Sequence, residues 1–199
     1  DPEYYNYFKR QLELLLDSLV TKECVDVELV YKESAVSDVT VSRRKFVWGF
    51  WKRLFLWKSM RIHPNPDQSI DNKLRLMQWV TKESQKTVAI MWNFACHPVI
   101  YHAPNNLSAH FIGDVRNTLR KQLADVPVVF FQGFSGDVRP YNVGKNQSIR
   151  GRILSCLNKS LEFCLFTKTT YEAWIDKINI AVEGCLNQQS VDHGVFALD

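Results

Sequence analysis

KTVAIMWNFACHP, residues 86–98, decides how the rest of the chain is read. Its apolar residues, 88–92 and 94–96 with Asn93 between them, predict a buried strand. The run stops at Cys96, His97 and Pro98, so the strand is expected to end at His97. A second apolar run, PVVFFQGFSGDVRP at 127–140, predicts another buried strand entering a glycine-containing turn. Between them, residues 107–123 carry Phe111, Val115, Leu119 and Leu123 at fourfold spacing, which predicts a helix with Ser108 placed to cap it. Strand, loop, helix and strand form a β-loop-α-β unit. Its two strands are expected to be parallel neighbours joined by a right-handed crossover. Ligands in such sheets sit beyond the carboxyl ends of the strands. His97 and the loop from Gly133 to Pro140 are therefore expected at one rim.

Working outward, residues 3–20 place Tyr4, Tyr7, Phe8, Leu12, Leu15 and Leu19 on one helical face, and Asp1-Pro2 suits a helix start. VDVELVY at 25–31, VTVSRR at 39–44 and LRLMQWVTKES from 74 read as strands. HPNPDQSIDN at 63–72 reads as a turn-rich connection that leaves His63 on the surface. Residues 147–165 read as an amphipathic helix holding Cys156 and Cys164 as small buried residues, and YEAWIDKINIAV, 171–182, as a strand with a loose polar tail.

The chain has 199 residues, is 46% hydrophobic and 13% aromatic, and carries a net charge of +4. That is enough for one domain with a real core, and too little charge to point to nucleic acid. None of the five cysteines forms a CxxC pair, so a zinc finger and a thioredoxin motif are excluded. No apolar run has the length of a membrane span. The start at Asp1-Pro2, without Met, points to a processed, trimmed or partial chain. Sequons at Asn106, Asn146 and Asn158 fit a secreted, periplasmic or membrane-associated setting without establishing one. RRKFVWGFWKRLFLWKSMR, 43–61, holds seven Lys or Arg, six Phe or Trp and no acid. A loop or short helix packing its aromatics on the core is the first expectation, and peripheral membrane contact the second.

CHPVIYHAPNNLSAHF, 96–111, concentrates His97, His102 and His110. His97, on a strand end restrained by Pro98, suits a zinc ligand or a general base. The turn Gln132-Gly133-Phe134-Ser135-Gly136-Asp137 adds a carboxylate, and Arg139 follows as a clamp for an anionic group. GFSG is not a nucleophile elbow, because the second glycine comes too soon.

The segments VSRR (41–44), NFACHPV (93–99), LSAHFIGDVRNTL (107–119) and VVFFQGFSGDVRP (128–140) occur in an order that resembles the neutral/alkaline non-lysosomal ceramidase family. The resemblance covers about residues 1–165. It implies an α/β fold, a mixed sheet with flanking helices, as a single ceramidase-like domain over 1–199 or part of one, with its motif-bearing core at 86–165. It implies a metal-dependent amidohydrolase that cleaves an N-acyl bond in a lipid or other acyl amide with one zinc ion, whose ligand set is incomplete in this chain. His97 matches a zinc ligand of the family. Gly136, Asp137 and Arg139 match its catalytic loop. Ser108, His110, Gln132 and Gly133 match positions that line the substrate. Three departures stand out: Arg139 replaces the family's serine, His110 replaces an acidic residue, and no His-x-His segment occurs. They leave a second reading, a non-catalytic module of the same fold that binds a lipid, glycan or membrane surface.

Overall fold

A computed structural model of the chain describes residues 1–51, 55–100, 107–124, 126–144 and 161–188. The central sheet contains β1 (Val27–Ala35), β4 (Lys73–Thr81), β5 (Thr87–Phe94) and β6 (Val128–Gln132), in the order β1-β4-β5-β6. β1, β4 and β5 are antiparallel neighbours, whereas β5 and β6 run parallel, with Ile90 beside Val128 and Phe94 beside Gln132. Parallel neighbours require a long crossover, and it contains the helix α2 (His110–Gln122). The β-loop-α-β expectation therefore holds. Alternate residues of β4, Leu74, Leu76, Gln78 and Val80, are buried, as expected of an antiparallel strand with one covered face.

α2 and a C-terminal helix, α3 (Lys168–Asn187), pack together, and α3 also packs on β1 and β4. The buried stripe of α2 is Phe111, Val115 and Leu119, three of the four residues in the expected period. Phe111 meets Trp92 of β5, Phe130 of β6 and Trp174 of α3 edge-on or nearly so, at centroid distances of 6.1, 6.0 and 5.6 Å. Such edge-to-face pairs add about 0.5–1.5 kcal/mol each beyond area burial. Trp174 Nε1 donates to Val39 O at 2.7 Å, and Lys32 Nζ donates to Leu186 O at 2.8 Å near the C-terminus of α3, where a cation complements the helix dipole.

A second sheet has the order β3-β2-β7, from β2 (Thr40–Trp51), β3 (Phe55–Asn65) and β7 (Val138–Pro140). β8 (Val143–Gly144) pairs with β9 (Glu162–Phe163). The helix α1 (Pro2–Val20) begins at the Asp1 cap as expected, yet buries none of its residues.

Several expectations are corrected. YEAWIDKINIAV is helical: Tyr171, Trp174, Ile175, Ile178, Val182 and Cys185 are buried at helical spacing, and Thr167 and Thr170 form a capping box. Its aromatic and β-branched content, which favours strands, is overridden by that period. Of the helix expected at 147–165, Glu162–Phe163 is a strand and Cys164 is exposed; residues 145–160, with Cys156, lie outside the described residues. Residues 43–61 form most of an antiparallel hairpin rather than a loop or helix, and its aromatics Phe46, Trp48 and Trp57 are exposed rather than packed on the core. His63 belongs to β3 and is half-buried. β5 ends at Phe94, three residues before His97. The expected loose tail, from residue 189 on, lies outside the described residues.

Candidate functional site

Two strand ends are laced together here. Gly133 N donates to Phe94 O at 3.2 Å, and His97 N donates to Val138 O at 3.2 Å. The loop after β5 and the loop after β6 thus share a rim. The approach is close because position 133 has no side chain: a Cβ there would lie 3.1 Å from the N, Cα and Cβ of Ala95. After the turn, Val138–Pro140 leaves the first sheet and joins the second, with Ser42 opposite Val138 and Val41 opposite Arg139. The turn is therefore the junction of the two sheets.

Within it, Ser135 is buried and its Oγ accepts from Gln132 Nε2. Arg43 N donates to Asp137 O at 2.6 Å, and Arg43 Nη2 donates to Gly136 O at 2.9 Å. Ser42 Oγ lies 3.5 Å from Asp137 Oδ2, the outer limit of a hydrogen bond. Arg139 places its guanidinium carbon 4.1 Å from the Phe163 ring centre, a cation–π contact, and its buried Nε has no hydrogen-bond partner among the described residues.

The electrostatics of the rim are cationic. Burial lowers the His97 pKa, and the nearby charges of Arg43 and Arg139 lower it further, so the imidazole is held neutral. Burial also lowers the pKa of Arg139, with Arg43 adding to the effect. Burial pushes the Cys96 thiol up, which keeps it protonated rather than nucleophilic.

Of the residues singled out in the sequence, His97, Gln132, Gly133, Gly136, Asp137 and Arg139 come together at this junction. Ser108 and His110 do not join them by any hydrogen bond among the described residues. Ser108 Oγ instead accepts from His110 N at 3.0 Å, one residue before the expected cap geometry, since Ala109 is the N-cap. His110 has a positive φ of 49° and a buried Nδ1 without a partner among the described residues. His102 lies outside the described residues. Arg43 was overlooked as a site residue, although VSRR was among the segments that carry the resemblance. Its basic neighbours hid it, and only the pairing of β2 with β7 puts it on the turn.

No group of three or more His, Cys, Asp or Glu side chains able to hold a metal occurs among the described residues. The rim supplies one imidazole and one carboxylate, beside two guanidinium groups that oppose a cation. These residues alone do not make a zinc site.

No family model and no curated protein matches the chain. Solved structures do. The neutral ceramidase of Pseudomonas aeruginosa matches at 14% identity with a TM-score of 0.52, covering 83% of this chain and 24% of that one. A ceramidase complexed with C2 matches at 12% identity with a TM-score of 0.50, covering 83% and 23%. The chain thus spans about a quarter of the length of the structures it matches. The likeness shows the fold: mixed α/β, with multi-stranded sheets and flanking helices, similar to part of a ceramidase.

Proposed function

We propose that the chain carries part of the active-site rim of a ceramidase-like hydrolase that cleaves an N-acyl amide bond, in a lipid or a related small acyl amide. The observation that supports this is the union of two separate sequence segments, NFACHPV and QGFSGDVRP, at one sheet junction, in the order that resembles the family. Zinc is the cofactor this reading entails. His97 would be one ligand, and the described residues do not supply the remaining donors. Bound zinc would polarise the amide carbonyl and acidify water.

The chain's own residues have definable parts in this reading. Neutral His97 has a lone pair free for a ligand or a proton. Asp137 has Ser42 as its one side-chain hydrogen-bond partner among the described residues, at 3.5 Å, which leaves the carboxylate placed to orient a ligand. Arg43 fixes the turn through Gly136 O and Asp137 O. Arg139, at the position of the family's serine, offers its guanidinium to a carbonyl oxygen or an anionic head group. The test is release of fatty acid from ceramides and simpler N-acyl amides in the presence of zinc. Turnover lost in Asp137→Asn but bound substrate retained supports the reading. No turnover by the unaltered protein on any of these substrates counts against it.

A second reading has its own observation. Two guanidinium groups beside His97, and a buried Arg139 Nε without a partner among the described residues, suit an anionic ligand better than a metal ion. A non-catalytic module of this kind binds a lipid or glycan acid at the rim without cleaving it. Titration with a carboxylate-bearing or phosphate-bearing ligand, lost in Arg139→Ser while turnover is absent throughout, distinguishes it.

A further inference from the structure

We propose that the exposed face of the β2–β3 hairpin docks on an anionic lipid bilayer. The register defines that face. Arg44 stands opposite Ile62, Phe46 opposite Met60, and Trp48 opposite Lys58, and directly opposed residues of antiparallel strands share one side of the sheet. Phe46 is 59% exposed, Trp48 43%, Met60 47% and Ile62 64%, so four large apolar side chains face solvent together. Arg44 and Lys58, also exposed, flank them. The intervening Val47, on the opposite side, is buried, whereas Trp57 on that same side, opposite Gly49, is 57% exposed, so the apolar surface wraps the hairpin away from Val47.

Charge selects the occupant. No acidic residue stands between Asp38 and Asp67, while seven Lys or Arg do. Aromatic and aliphatic side chains interleaved with cations match a membrane interface, where rings enter the head-group region and basic groups meet lipid phosphates. A second copy of the same face would oppose Arg44 and Lys58 to each other across a twofold axis, like charge against like. The α1 helix also exposes apolar residues, but Glu3, Glu13 and Asp17 lie on it with Lys9 and Arg10, so it lacks such a field. The inference does not depend on whether the rim cleaves anything.

The test is co-sedimentation of the purified protein with vesicles of phosphatidylcholine, with and without phosphatidylserine. The unaltered protein is expected to bind the mixed vesicles and to release as ionic strength rises. Removing both cations in Arg44→Gln/Lys58→Gln lowers partitioning about 25-fold, from about fivefold per surface cation. Phe46→Ser/Trp48→Ser abolishes binding while the circular-dichroism spectrum shows the fold kept; Phe46→Ser alone, at a position 59% exposed, weakens binding in the same direction should the double variant unfold. Three results overturn the proposal: the unaltered protein stays in the supernatant, the variants bind as it does, or the free protein sediments as a dimer that the Phe46/Trp48 variant dissolves. Vesicle binding without amide hydrolysis leaves the docking inference intact and counts only against the hydrolase.

Discussion

Alanine at position 133 puts a methyl carbon 3.1 Å from three atoms of Ala95. Comfortable carbon contacts lie at about 3.5–4.0 Å, so the shortfall is roughly 0.4–0.9 Å. Two of the three atoms are backbone, held in place by the bond from Gly133 N to Phe94 O and by the burial of Ala95 and Cys96. The strand ends must therefore separate. Overpacking of this kind costs about 1–3 kcal/mol. Loss of chain freedom in the unfolded state returns about 0.4–1 kcal/mol, since position 133 does not need a positive φ. The net expectation is destabilisation by about 0–2.6 kcal/mol. For a chain of this length each kcal/mol moves Tm by about 2–4 °C. Gly136→Ala is the internal control: nothing lies within 4 Å of its Cβ, and its φ is not positive. That variant is expected to be neutral or slightly stabilised. Equilibrium urea unfolding of both, compared by midpoint and slope, reads the difference. Gly133→Ala as stable as Gly136→Ala, or more so, refutes the claim that these strand ends are held in close contact.

Other outcomes follow from the same structure. Phe111→Ala, at the meeting point of three aromatic rings, is expected to lose about 3–5 kcal/mol in the same unfolding assay, and a loss below about 1 kcal/mol contradicts the packing. Asp71 has its pKa lowered from 3.8, first by its hydrogen bonds from Arg75. A lowered carboxylate pKa adds stability that is fully present above the unfolded value and lost as pH falls through the folded one. Acid unfolding of Asp71→Asn should therefore show a weaker pH dependence below about pH 4 than the unaltered protein; identical slopes oppose the pairing. In metal-free protein, the His97 imidazole is expected to titrate below 6.5 by NMR, and to move up in Arg139→Ser. A midpoint above 6.5 contradicts both the burial of the ring and the two cations beside it.

The β-loop-α-β unit was legible because its signals are local: two apolar runs, a fourfold period, and polar loops at both strand ends. The shared rim followed from the parallel pairing of β5 and β6. What escaped depended on long-range pairing or on competing local signals. Arg43 reaches the turn only because β2 joins β7, a contact between residues almost a hundred positions apart. Residues 43–61 read as a loop or short helix because Gly49 and the run of basic residues mask the two strands. Residues 171–182 read as a strand because Ile, Val, Tyr and Trp make up half of them, yet burial at helical spacing decides the matter. Ser108 and His110 matched motif positions, but their bonding is local to the start of α2. The two arginines beside His97 set the chemical character of the rim, and neither spacing nor composition brings them together.

The most direct test is zinc content by mass spectrometry, on the purified chain after zinc loading and buffer exchange, beside His97→Ala. The hydrolase account predicts zinc retained by the unaltered protein and lost in the variant. Zinc absent from both, or retained fully without His97, contradicts it. The cationic rim would then be read as a binding site for an anionic ligand.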